Sequence, residues 1–317
     1  MITGYIGKRL LMFFFLLVAS STVVFCLVRL IPGDPGESIL GENSNPQDIN
    51  RIRQELNLDK PLLIQYGEYI KNLSSFSLGY SLIDRQPVSK RIKEYFPNTL
   101  LLATAAILIA IMISFPLGVW GAFKSEMGIG TDSLITLSSS LGLSIPAFIL
   151  GPVLVIIFSI KLGWLPVSGS DSLSHLVLPS VTLGIFISGS LTRLVRQVVS
   201  IEMKKDYVLL ARAKGLNEFC VFQRHIFKNA MIPIITATSI QLGVLLGGTV
   251  VTETVFSWQG IGTLLVSSIH TRDYTMIQGI VLVITAIYLV LGFIVDIIYF
   301  FFDPRMRYEY ESKKIPH

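Results

Sequence analysis

The sequence predicts an all-α membrane protein with six transmembrane helices and both termini in the cytoplasm. Three observations carry this. Charged residues make up only 15% of the 317 residues, against 51% hydrophobic. Six runs without a charged side chain are long enough, or nearly so, for a helix to cross about 30 Å of hydrocarbon. The lysines and arginines fall mainly on one side of those runs. Backbone groups in lipid must be satisfied within their own segment, so uncharged runs of this length are helices.

The elements follow in order. Leu10–Val28 is the first run, 19 residues long. It is read as a retained span, because its apolar stretch is long and "RLIPGDP" follows without a small-residue cleavage site. A long, mixed extracytoplasmic loop covers residues 32–98. Within it Asn45 is placed to cap a helix with Pro46 at its first position, and Pro61 to open a second. Leu62, Tyr66, Ile70 and Leu73 lie along one face of that second helix. The remaining runs are Thr99–Phe123, Ser133–Ile160, Leu176–Thr192, Asn229–Thr252 and Tyr274–Val295, of 25, 28, 17, 24 and 22 residues. Pro146 and Pro152 are expected to kink the third. Gly243 with Gly247, and Ala147 with Gly151, are small-residue pairs that permit close helix contact, within one bundle or between two. The segments are therefore 1–31 (tail and first span), 32–98, 99–302 (five-helix core) and 303–317 (cytoplasmic tail).

Orientation comes from the short loops. With the N-terminus inside, the inner side holds Lys8, Arg9, Lys124, eight Lys or Arg in residues 193–230 and four in the tail; the short outer loops hold only Lys161 and Arg272. The formal charge of +5 thus needs no nucleic acid partner. Cys26 and Cys220 are too far apart in this topology to pair, and no metal or cofactor spacing occurs. There is no phosphate-loop motif, H-E-x-x-H or G-x-S-x-G. No catalytic constellation is visible, so an intramembrane enzyme is disfavoured. Asp296 stands alone near the inner end of the last run. It would be the ion site of an ion-coupled carrier, or a helix-end residue at the interface.

The stretch 193–230 is the exception to the apolar pattern. "DYVLLARAK" reads as a helix with Asp206 as N-cap and Arg212 and Lys214 in its last turn. Gly215 can end it with positive φ. Asn217 can cap the next helix, with Glu218 in its first turn. Phe219, Phe222, Ile226 and Ala230 then form an apolar stripe that runs into the fifth span at Pro233. On pattern alone this is an amphipathic interfacial loop; the alternative is a docking knob for a cytosolic partner.

The stretch resembles the coupling loop of inner-membrane permeases of binding-protein-dependent ABC importers, in the peptide/nickel branch. The resemblance lies in Asp206, Tyr207, Ala211, Arg212, Ala213, Lys214, Gly215 and Leu216, then Arg224, His225, Lys228, Asn229, Ala230 and Pro233. Leu209-Leu210-Ala211 replaces the wider superfamily's Glu-Ala-Ala, and the Gly-to-Pro spacing is longer; both departures fit this branch. "RLIPGDP", "LNLDKPLLIQYGEYI", "PNTLLLA", "LGWLPVSG", "ETVFSWQGIGTLLVSSIHTRDYTMIQG" and "DPRMR" are similar to its other conserved pieces, in the same order. The resemblance implies a type I importer permease fold and an ATP-driven import system. Its expected partners are a second, paralogous permease in a heterodimer, two ABC ATPase subunits, an extracytoplasmic substrate-binding protein and membrane lipid. This chain would then have no ATPase site of its own and work by alternating access. Short peptides are the expected substrate, nickel or a metal chelate the alternative. Ser144, Thr236, Thr238 and Gln241 are the polar candidates for a substrate path within the spans.

Overall fold

A computed structural model describes residues 2–30, 36, 40, 45–55, 58–126 and 145–302. Apart from one isolated bridge between Tyr80 and Pro87, the regular structure of the described residues is all helical. The helices are α1 (Ile2–Val28), α2 (Pro46–Glu55), α3 (Leu62–Ser74), α4 (Val88–Glu126), α5 (Ala147–Leu154), α6 (Leu173–Met203), α7 (Asp206–Ala213), α8 (Glu218–Val221), α9 (Lys228–Gly248), α10 (Val250–Val255), α11 (Ile261–His270) and α12 (Tyr274–Phe302). Two π-helical segments, Val155–Lys161 and Phe222–Phe227, follow α5 and α8.

Among the described residues, five helical stretches are long and apolar enough to cross a membrane: Arg9–Val28, Val88–Glu126, Leu173–Met203, Glu218–Gly247 and Tyr274–Val295. Of the third predicted run, residues 133–144 lie outside the described residues, as do "IPGDP" and the tail from Asp303. Its described part, Ala147–Lys161, is a short apolar helix. Pro146 does not kink it. Proline has no N–H to donate and a φ suited to a helix start, and here Pro146 is the N-cap of α5. Pro152 does sit inside the helix, and the backbone widens to π geometry three residues later.

The chain forms two compact units. The first comprises Met1–Leu100 and Gly247–Leu289. Asn45 and Pro46 begin α2 as predicted, with the Gln47 amide donating to Asn45 Oδ1 at 3.1 Å. Helix α3 packs on α1 through aromatic rings: Tyr66 meets Phe25 edge-on at 5.1 Å, and Tyr69 stacks on it at 5.5 Å. Nearer its N-terminus α1 leaves Leu11, Phe14 and Phe15 exposed, as a lipid-facing helix should. Val88 and Ile92 of α4 pack with Ile261, Leu264, Met276 and Ile280. The Cβ position of Gly247 lies 3.4 Å from Ile284 of the same chain, while the glycine itself stays exposed.

Two buried carboxylates organise this unit. Asp273 accepts from Ser81 Oγ at 2.5 Å and from the amides of Leu82 and Met276 at 3.1 Å, which pins the 80–87 turn to the start of α12. Glu253, fully buried, accepts from Thr99 Oγ1 at 2.7 Å, Thr249 Oγ1 at 2.9 Å and the Thr263 amide at 3.1 Å. The Ile261 amide donates to Thr99 Oγ1 and Trp258 Nε1 to the Asn98 carbonyl. A negative group at the N-terminus of α11 also suits its dipole. Gly260 is required there by close approach. A Cβ at that position would lie 2.4 Å from the Glu253 carboxylate.

The second unit comprises Leu101–Leu246 and Val290–His317. Its centre is α6, 61% of whose apolar window is buried, far more than any other span. Close contact with α4 is possible because Gly118 and Gly184 carry no side chain; a Cβ at either would lie 2.6 Å from Val195 or Ile109. Ala122 of α4 and Val195, Val199 and Met203 of α6 then form one cluster with Val208, Ala211, Val221, Ile226, Ala230 and Ile234. That cluster seats the charged stretch on the spans.

Candidate functional site

The chain leaves α6 at Met203 and starts α7 after two intervening residues, at Asp206. Asp206 is not the N-cap. Lys205, with extended ψ of 145°, holds that position, and Asp206 is the first helical residue, where its charge still complements the dipole. At the other end the reading holds. Lys214 is the C-cap and Gly215 follows with φ +78°. The Gly215 amide donates to the Arg212 carbonyl at 2.9 Å and the Leu216 amide to the Ala211 carbonyl at 3.4 Å, the paired bonds of a Schellman motif. Asn217 caps α8, its Oδ1 accepting from the Cys220 amide at 2.8 Å. From there α8, the π-helical segment and α9 run on without a break.

Two polar clamps fix this turn to the spans. Arg212 donates to both oxygens of Glu126, at 2.6 and 3.1 Å, and to Glu218 at 3.1 Å. The bidentate bond to Glu126 is the main reason the guanidinium pKa lies above its ordinary value; burial opposes the shift and Glu218 adds to it. Glu126 is the last residue of α4, so the clamp joins α4 to α7 and α8. The second clamp centres on buried Glu202 of α6. It accepts from Tyr207 and Lys205, and the Tyr207 hydroxyl accepts from Asn229 Nδ2 at 3.0 Å. Asn229 also donates to the His225 carbonyl at 2.9 Å, and the His225 ring lies 6.5 Å from that of Tyr207. Burial, and then the bond to Glu202, push the Tyr207 phenol up to about 12.

The predicted site residues thus divide by what they touch. Ala211 is buried and Arg212 and His225 are half-buried, while Tyr207 and Asn229 are exposed but tied to the bundle through their bonds to Glu202 and to each other. Asp206, Ala213, Lys214, Gly215 and Arg224 are exposed. With them on the surface are Leu209, Leu210, Leu216 and Phe219, the last 73% exposed. The predicted apolar stripe is therefore corrected at its first member. Phe222, Ile226 and Ala230 turn inward beside Val221, while Phe219 points away. Pro233 lies inside α9 and cannot donate to the preceding turn.

The structure does not gather the proposed path residues into one site. Thr236 and Thr238 return their hydroxyls to the carbonyls of Ile232 and Ile234 in their own helix. Gln241 reaches Ser190 of α6 at 3.5 Å. Ser144 lies outside the described residues. Glu126 and Glu202 were absent from the sequence reading. Glu126 gives no local signal, being 86 residues from Arg212. Glu202, five residues before Tyr207, is close enough for sequence inspection to have raised it.

Known proteins resemble the chain over most of its length. Residues 114–308 match the family described as binding-protein-dependent transport system inner membrane component, and residues 1–103 match its N-terminal region. The glutathione transport system permease protein GsiC of Salmonella paratyphi A is 39% identical over 306 residues, covering 96% of this chain and 99% of that protein. GsiC of Escherichia coli strain K12 is 38% identical over the same length and coverage. The inward-facing MetNI methionine ABC transporter is similar in fold, with a TM-score of 0.57 at 17% identity over 67% of this chain and 95% of that one.

Proposed function

The chain belongs to the family of binding-protein-dependent transport system inner membrane components, and from that membership we propose how its parts divide the work of import. It is a multi-pass permease of the inner membrane. In our reading, the 206–230 stretch is cytoplasmic, both termini are on the same side, and two ATPase subunits hydrolyse ATP for it. A second, paralogous permease completes the pathway, and a substrate-binding protein docks on the opposite face. The cargo is a short peptide; the permeases named above serve glutathione, a tripeptide.

The observation that carries this is the two-faced construction of the 206–230 stretch. Its exposed side offers Leu209, Leu210, Leu216 and Phe219 among Lys214 and Arg224. An apolar patch rimmed by charge marks a protein contact. Its inner side is bonded to α4 through Glu126, to α6 through Glu202 and to α9 through Asn229. A push on the exposed side therefore moves three helices together instead of being absorbed in a loop. Coupling of ATP closure to alternating access needs that property.

The test is reconstitution. Coexpressed with a second permease, ATPase subunits and a binding protein, the chain should copurify with them and import glutathione only with ATP. Uptake driven by an ion gradient without ATPases would replace this reading with a secondary carrier. ATP-driven uptake of nickel but not of peptide would replace only the cargo.

A further inference from the structure

A pocket of about 150 Å³, open on one side, lies in the first unit beside the end of α1, helix α3 and the start of α12. Its walls hold more donors than the chain itself uses. Arg29 lies over the Phe25 ring, its guanidinium carbon 3.6 Å from the ring centroid. It donates to the Phe25 carbonyl at 3.2 Å and to Gln65 Oε1 at 2.7 Å. Those bonds use two of the five N–H groups of a guanidinium. Gln278 is buried, at 6% exposure, and its Nε2 has no hydrogen-bond partner among the described residues. The Tyr69 hydroxyl is equally buried and unpartnered. Burial pushes the Tyr69 phenol up to about 12, so it keeps its proton and can donate.

Unsatisfied buried donors are costly, and native chains keep them where a ligand completes the set. The charge balance says which ligand. The one acid on the wall, Glu68, is paired with Lys60 at 2.8 Å. That leaves one cation and two neutral donors, which match a single negative charge with two acceptor oxygens. At about 150 Å³ the cavity is smaller than a site for a whole small molecule and suits one end of a peptide, with Leu58, Leu78 and Leu82 as apolar wall. We propose that this pocket binds the terminal carboxylate of a short peptide, with Arg29 as its charge partner and Gln278 and Tyr69 as flanking donors. The inference rests on the reading above, in which this end of α1 and α12 faces outward; it adds a peptide subsite at the entrance of the permease itself.

Calorimetry on the full chain in phosphatidylcholine nanodiscs tests it, with trialanine and trialanine amide as probes. Trialanine should bind, and the amide should bind about 10- to 100-fold more weakly, the value of a charge-assisted contact. Arg29→Gln should abolish that preference. Tyr69→Phe keeps the ring on Phe25 and should weaken trialanine about fivefold while leaving the melting curve unchanged. Equal affinity for acid and amide, no heat from either at millimolar concentration, or a preference that survives Arg29→Gln overturns the proposal. So does a loss confined to docking of the binding protein in Arg29→Gln, which would assign the pocket to an acidic side chain of that protein. Assembly with ATPases and ATP-driven uptake, measured on the same wild-type preparation, separate the two readings. If they fail, the transport reading fails; if they succeed while acid and amide bind alike, only the pocket does.

Discussion

Replacing Gly215 by valine isolates the turn that joins α7 to α8. The glycine sits at φ +78°, and no heavy atom lies within 4 Å of the position its Cβ would take. No clash arises, so the cost is torsional. An L-residue in this region costs roughly 1–2 kcal/mol, and a branched Cβ puts valine at the upper end. That lowers the population of the native turn about 5- to 30-fold. The clusters beneath it are untouched, so membrane insertion and protein level should match the wild type. The exposed face, however, should lose its fixed shape. Copurification of the ATPases and ATP-driven uptake should both fall several-fold. Gly215→Asn is the control, because asparagine tolerates this region best among the other residues, and it should keep most of the uptake. Wild-type uptake by Gly215→Val at wild-type protein levels, or equal loss in valine and asparagine variants, would refute the argument.

A reporter fused after His317 should lie in the cytoplasm and one inserted at Gly79 outside; the same side for both would overturn the proposed topology. Gly260→Ala drives a methyl group into the Glu253 carboxylate, at a cost of about 1–3 kcal/mol, and should lower the melting temperature of the solubilised chain. Thr99→Val removes both a donor to Glu253 and the acceptor of the Ile261 amide, and should cost about 2–4 kcal/mol; an unchanged melting curve would deny Glu253 its organising role. Because the folded-state pKa of Tyr207 is raised to about 12 from 10.0, its contribution to stability is complete below pH 10 and is lost as pH rises toward 12. Wild-type melting should therefore fall more steeply over that interval than that of Tyr207→Phe, and parallel curves would contradict it.

What the sequence reveals here is what local physics decides. Uncharged length marks the spans, because lipid leaves the backbone no alternative. The turn at Gly215 and the cap at Asn217 depend on bonds within five residues, and both stand as read. The N-terminal side of α7 was misplaced by one residue because Asp206 suits both the cap and the first turn. Phe219 shows a different limit. Its spacing fits the stripe, but periodicity does not say where a helix leaves the bundle and presents its surface to a partner. Partners distant in sequence were invisible. Nothing near Glu253 announces Thr99, and nothing near Arg212 announces Glu126. In each case one side chain completes another's hydrogen bonds across more than 80 residues.

The Glu253 contact also sets a clock. Thr99 precedes Glu253 by 154 residues. A ribosome adding about 5–20 residues per second needs roughly 8–30 s to cover that interval. During that time the start of α4 has emerged while the carboxylate, the Thr263 amide and the indole that will bind Asn98 do not yet exist. The early helices must wait, with Asn98 and Thr99 solvated or held by the insertion machinery. Only when the segment from Thr249 to Thr263 arrives can the two ends of the unit be tied. Truncations that end before residue 253 should therefore yield chains that insert but are cleared by proteolysis, and those that extend past residue 263 should be the first to persist.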